Sequence, residues 1–96
     1  MPTFVTLYKL TDQGVKNIKD SPARLKAAIN AFEAKGGKLI GAYYTTGEFD
    51  LIVIGEISDE KAGLAHTLAT ASLGNARPTT LRAFTVEEFA EIIKKM

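Results

Sequence analysis

Thr46-Gly-Glu-Phe-Asp-Leu-Ile-Val-Ile-Gly-Glu-Ile57 decides the fold of this 96-residue chain. The run from Asp50 to Ile57 is apolar and β-branched, and Gly47-Glu48 just before it supplies turn chemistry, so it reads as a strand entered from a tight connection. Side chains alternate along a strand, so Leu51, Val53 and Ile57 point one way while Ile52 and Ile54 point the other. Neither side is polar. A strand of this kind needs cover on both faces.

On the N-terminal side, Lys38 to Thr46 carries Leu39, Ile40, Tyr43 and Tyr44 and pairs with Asp50–Ile57 as a hairpin. Thr3 to Leu10 is a first strand, with Phe4, Thr6 and Tyr8 on one face and Val5 and Leu7 on the other. Thr11-Asp12-Gln13-Gly14 interrupts the alternation, and Val15 and Ile18 begin a helical spacing. Ser21-Pro22 then offers a capping hydroxyl followed by proline at the first helical position. Leu25, Ile29 and Phe32, widened by Ala28, form the buried stripe of a helix that stops at Gly36-Gly37. On the C-terminal side, Ser58-Asp59-Glu60 starts a helix with Leu64, Leu68 and Ala71 inward, ending at Leu73-Gly74. Ala76 to Thr85 is a fourth strand, and Thr85-Val-Glu-Glu88 is a capping box for a terminal helix bearing Phe89, Ile92 and Ile93. The order β-α-β-β-α-β plus a short helix predicts an α+β, ferredoxin-like sandwich. Its third strand lies between the first and second, and both helices pack on one face of a four-stranded antiparallel sheet.

Composition fits one domain spanning residues 1–96. Twelve lysines and arginines against 11 acids give a net charge of +1, with 46% hydrophobic and 24% charged residues, values of an ordinary globular domain. Mass scaling predicts roughly 5,400 Å² of folded surface, enough burial for a modest core without staples. The absence of cysteine removes disulfides, thiolate clusters and thiol nucleophiles, and a lone histidine argues against a metal site. No cofactor is expected. A balanced charge argues against a phosphate backbone as partner, and no window approaches the roughly eighteen apolar residues that span a bilayer. A cytoplasmic address is the default expectation.

Two helices cover one side of a four-stranded sheet, and the other side carries Ile52 and Ile54 where water would demand polar residues. A partner copy packed face to face through that surface is the expected cover. The alternative is a monomer whose terminal helix folds underneath.

Gly47-Glu48-Phe49-Asp50 followed by Leu-Ile-Val-Ile54, together with Ser72-Leu-Gly-Asn-Ala-Arg-Pro-Thr-Thr-Leu-Arg-Ala-Phe-Thr85, resembles the GYD-domain family. The likeness runs over almost the whole chain, including Tyr8 to Gly14 and Ser21-Pro22. Phe49 stands where the family's name-giving tyrosine would be, so the phenol is not carried over; the glycine and the acid are. The resemblance implies a ferredoxin-like fold of the dimeric α/β-barrel kind, and fold analogy by itself assigns no activity.

Polar residues that would share a sheet face are the candidates for chemistry. Even-numbered positions of the outer strands place Tyr8, Glu56, Thr80 and Arg82 on the side away from the helices, with Tyr44 nearby. There Arg82 would fork onto a carboxylate or phosphate, the tyrosines would hydrogen-bond or stack, and Glu56 would act as a base if desolvated. The plainer expectation is an intersubunit ion pair between Arg82 and Glu56. His66 reads as a partly exposed surface residue without an acid at i±4, and Asp50 as a hairpin-end residue bonding its own backbone. Gly74-Asn75 is a helix stop, not a phosphate loop. One histidine leaves no hydrolase triad within reach, and the third strand lacks the aromatics of an RNA-recognition sheet. The expected function is a homo-oligomeric, non-enzymatic module holding a small metabolite in a cleft near the sheet. The alternative is a cofactor-independent oxygenase or isomerase using Tyr8, Tyr44 or Glu56.

Overall fold

The computed structural model describes residues 1–96, with elements β1 (Thr3–Leu10), α1 (Asp12–Lys16), a 3-10 turn (Ile18–Asp20), α2 (Ser21–Ala34), β2 (Lys38–Tyr44), β3 (Leu51–Glu56), α3 (Glu60–Ser72), β4 (Ala76–Ala83) and α4 (Val86–Lys94). The strands form one antiparallel sheet in the order β2-β3-β1-β4. This is the ferredoxin-like arrangement expected from the sequence, with β3 between β1 and β2.

Register sets which side chains share a face. Tyr8 lies opposite Leu51 and Pro78, Thr6 opposite Val53 and Thr80, and Phe4 opposite Gly55 and Arg82. These residues face α2 and α3. The other face carries Val5, Leu7, Ile52, Ile54 and Leu81, joined by Tyr43 across from Ile52. In β2 the pairing skips from Leu39 to Gly41, so Ile40 is an extra residue. That bulge turns both Leu39 and Tyr44 toward the helices, which strict alternation would not allow.

Several local expectations are corrected. The segment after β1 is a helical turn, α1, capped by the Thr11 side chain accepting from the Gly14 amide. Ser21 is already helical and caps nothing; it is buried, and its hydroxyl lies 2.9 Å from the Tyr44 hydroxyl. Asp59, not Ser58, caps α3 by accepting from the Lys61 and Ala62 amides at 3.1 Å, since a carboxylate is the stronger acceptor at the positive helix end. Of the expected inner face of α3, Leu68 turns outward at 60% exposure, Leu64 is as exposed but borders the space between helix and sheet, and the half-buried positions are Ala62, Gly63, His66, Thr67, Thr70 and, as expected, Ala71. Small residues there let the helix approach the sheet, and a Cβ on Gly63 would stand 3.0 Å from Ile57.

α1 is tied to the junction between α3 and β4. Thr11 donates from its amide to the Asn75 carbonyl and from its hydroxyl to the Gly74 carbonyl, and the Gln13 amide reaches both Leu73 and Asn75. Gly14 packs directly on the Asn75 carbonyl, leaving no room for a side chain. Gly36 and Gly74 end α2 and α3 at φ of 90° and 82°, the left-handed stop the sequence predicts.

α4 opens with the predicted capping box, Thr85 and Glu88 each accepting from the other's amide. It does not fold beneath the sheet. Phe89, Ile92 and Ile93 stay 54%, 40% and 50% exposed, and the molecule measures 48 × 30 × 18 Å. No helix is long and apolar enough to cross a membrane.

Candidate functional site

A cavity of about 840 Å³ lies between the sheet and the two long helices. β1, β3 and β4 supply its floor through Phe4, Thr6, Tyr8, Leu51, Val53 and Thr80, and α2 and α3 wall it with Ala28, Phe32, His66 and Thr67. Small residues on the facing sides of the helices, Ala28 on α2 and Gly63 and Thr67 on α3, leave this space unfilled. Phe32 closes the end near β2. Its ring occupies the space over two glycines, where a Cβ on Gly37 or Gly55 would come within 2.5 or 2.9 Å of it.

Tyr8 is 8% exposed, and its hydroxyl forms no hydrogen bond within the chain, yet no sealed side-chain polar atom lacks a partner. The hydroxyl therefore keeps its access through the cavity. Burial raises the Tyr8 pKa above its ordinary value, which keeps the phenol protonated and a donor. His66 tilts against the Phe32 ring at 5.4 Å between centroids. Burial first, and the Lys35 ammonium second, push its pKa down. Its imidazole is thus neutral near pH 7 and can donate and accept. His66 is a cavity residue, contrary to the surface reading, and its partner is a ring on the neighbouring helix instead of an acid on its own.

The five candidates do not share the face assigned to them from sequence. Tyr8 and Thr80 lie on the helix side and line the cavity. Arg82 is on the same face of β4, at its exposed end, between the rings of Phe4 (5.6 Å) and Phe84 (4.4 Å), and donates to the Thr3 and Ala83 carbonyls. Tyr44 also faces the helices, where Ser21 holds its hydroxyl. Glu56, opposite Thr3, is on the other face, so Arg82 and Glu56 cannot pair within one chain. The cause is register: β1 aligns even with even against β4 but even with odd against β3.

Asp50 closes its own hairpin through its carbonyl, which accepts from the Thr45 amide, but its side chain and amide bond the neighbouring strand. Its carboxylate accepts from the Leu10 amide at 2.8 Å, and its amide donates to the Tyr8 carbonyl at 2.9 Å. The rest of the turn clasps the same strand end, Glu48 lying 3.6 Å from the Lys9 ammonium, which sits 5.5 Å over the Phe49 ring. No cluster of three potential metal-ligating side chains occurs.

The GYD domain family model matches residues 4–93. The chain belongs to the GYD-domain family. The turn just described is the segment that resembles the family's name-giving triplet, and its acid holds the end of β1. A Thermus thermophilus relative, "Glutamine synthetase and cystathionine beta-lyase binding protein", is 30% identical over 95 residues, covering 98% of this chain and 100% of the relative. A crystal structure of TTHA0845, also from Thermus thermophilus, superposes with a TM-score of 0.54 at 24% identity, covering 90% of this chain and 96% of that one. That likeness supports the fold of this GYD protein.

Proposed function

We propose that this GYD protein is a homo-oligomeric, non-enzymatic binding module that holds a small metabolite in the cavity between sheet and helices. Excess surface carries the reading. The single chain exposes 6590 Å², whereas its mass calls for roughly 5,400 Å² in a folded monomer. Its Cα radius of gyration is 14.4 Å, against about 12.5 Å for a compact chain of this length. Apolar side chains contribute to it: Leu81 on the open sheet face, beside half-buried Val5, Leu7, Ile52 and Ile54, and Phe89, Ile92 and Ile93 on α4. Covering it with a second copy through Ile52 and Ile54 gains ~25 cal/mol for each Å² removed from water. The relative named as binding two enzymes supports a role that consists in binding.

One observation favours an enzyme as the second reading. Tyr8 and the neutral His66 line one apolar cavity, an acid and a base of the kind a cofactor-independent oxygenase or isomerase needs. Tyr44 and Glu56 drop out of that scheme, the first held by Ser21 and the second on the opposite face.

The test of the main reading is assembly. Light scattering at micromolar concentration is expected to show an oligomer for the unmodified protein and a folded monomer for Ile54→Lys, because a lysine on the packed face would leave its charge unpaired. A monomeric unmodified protein would sink the proposal.

A further inference from the structure

We infer that the cavity takes a ring-bearing organic acid, its apolar ring system inside, a hydroxyl or carbonyl substituent at Tyr8 and its carboxylate at the mouth. This deepens the small-molecule part of the proposed function and rests on it. The volume, about 840 Å³, falls in the range of roughly 300–1,000 Å³ typical of ligand pockets. The lining is graded from floor to rim. Deep inside are aliphatic and aromatic side chains, and the hydroxyls of Tyr8 and neighbouring Thr6 belong to nine-tenths-buried residues. Of the two, the Tyr8 phenol is the more acidic and so the stronger donor, and it has no partner in the protein. A buried donor facing an apolar cavity favours a ligand carrying an acceptor at that point.

The mouth has the opposite character. Of the charged residues that line the cavity, Arg24, Lys35 and Lys61 are cationic and only Glu60 is anionic. None of the three cations is in an ion pair: the only salt bridges in the molecule are Lys9–Glu48 and Lys94–Glu91. Lys35 lines the cavity within electrostatic reach of His66, whose pKa it helps to lower. Neutral His66 adds no further charge beside the ring of Phe32, so the interior suits an uncharged ring and the rim suits an anion.

Three fluorescent probes separate the elements of this inference, and the absence of tryptophan leaves the emission window clear. They are 6-hydroxy-2-naphthoate, 2-naphthoate and 2-naphthol, titrated with the intact protein up to millimolar concentration. The hydroxy acid is expected to bind tightest. Tyr8→Phe should weaken it roughly fivefold, the worth of one hydrogen bond, and leave 2-naphthoate unchanged. The double variant Lys35→Gln/Lys61→Gln should weaken both acids about tenfold and leave 2-naphthol unchanged, as the loss of charge-assisted contacts requires. If 2-naphthol binds as tightly as the acids, or if Tyr8→Phe changes nothing, the ligand class is wrong while occupation of the cavity stands. If none of the three binds, both the class and the small-molecule part of the proposed function fall, and the assembly measurement is left as an independent result.

Discussion

At the residue scale, two side chains show how a single group reports on its surroundings. Asp50 satisfies the last amide of β1, a position where the ladder has run out of backbone partners. Asp50→Ala leaves the Leu10 amide without that acceptor and is expected to cost about 1–3 kcal/mol, read as a lower urea midpoint at unchanged slope. An unchanged midpoint would show that water replaces the carboxylate. His66 acts through pH. Its folded pKa lies below the ordinary 6.5, so the unfolded chain binds a proton more readily than the folded one. Stability is then complete above about pH 6.5 and declines as pH falls toward the lowered pKa. Urea titrations across that window should show the decline, and His66→Gln should flatten it. Neither role was legible beforehand. Asp50 follows a glycine turn, where local bonding is the usual expectation, and the ring beside His66 comes from a helix more than thirty residues earlier.

At the element scale, α4 separates local from global stability. Its capping box is intact, but its apolar face touches little else in the chain. Thr85→Ala should therefore unravel the first turn, at a local cost of about 1 kcal/mol. In a monomeric background such as Ile54→Lys, the change should appear in the amide shifts of residues 86–94 and not in the melting temperature. A matching fall in melting temperature would mean that α4 packs on the body in solution. Glu88 adds a pH signature: the Thr85 amide bond, chiefly, lowers its pKa, so the carboxylate half of the cap contributes fully above the ordinary value of 4.5 and its contribution fades as pH falls through the depressed one, while the Thr85 hydroxyl half remains. The glycine stops, the strand alternation and the Thr85 capping box placed the strands and long helices in advance, although the capping residues expected for α2 and α3 were the wrong ones. The sidedness of the candidate site was not readable, and β3 is the reason. With apolar residues on both its faces it accepts either parity against β1, so the pattern could not say whether Tyr8 joins Leu51 or Ile52. The Ile40 bulge hid the sidedness of Tyr44 in the same way. In α3 small residues take most of the half-buried positions, and at Gly63 the reason is Ile57, which leaves no room for bulk.

At the scale of the whole molecule, only seven of 96 residues are buried, and the fold's free energy should depend on what covers the rest. For a dimer, stability rises by about 1.4 kcal/mol with each tenfold increase in protein concentration. The melting temperature of the unmodified protein is therefore expected to climb with concentration while that of Ile54→Lys stays fixed, a comparison calorimetry can make; a climb in neither would argue against assembly. The strand order has a further consequence in time. β1 is made before the other three strands and occupies an inner position, but one of its two neighbours, β4, is the last of the four to be made. Until then Thr3–Leu10 can pair only on its β3 side, and its other row of amides and carbonyls is an open template. Closure waits on a contact spanning most of the chain, which slows folding and lengthens the interval in which a nascent edge can find the wrong strand.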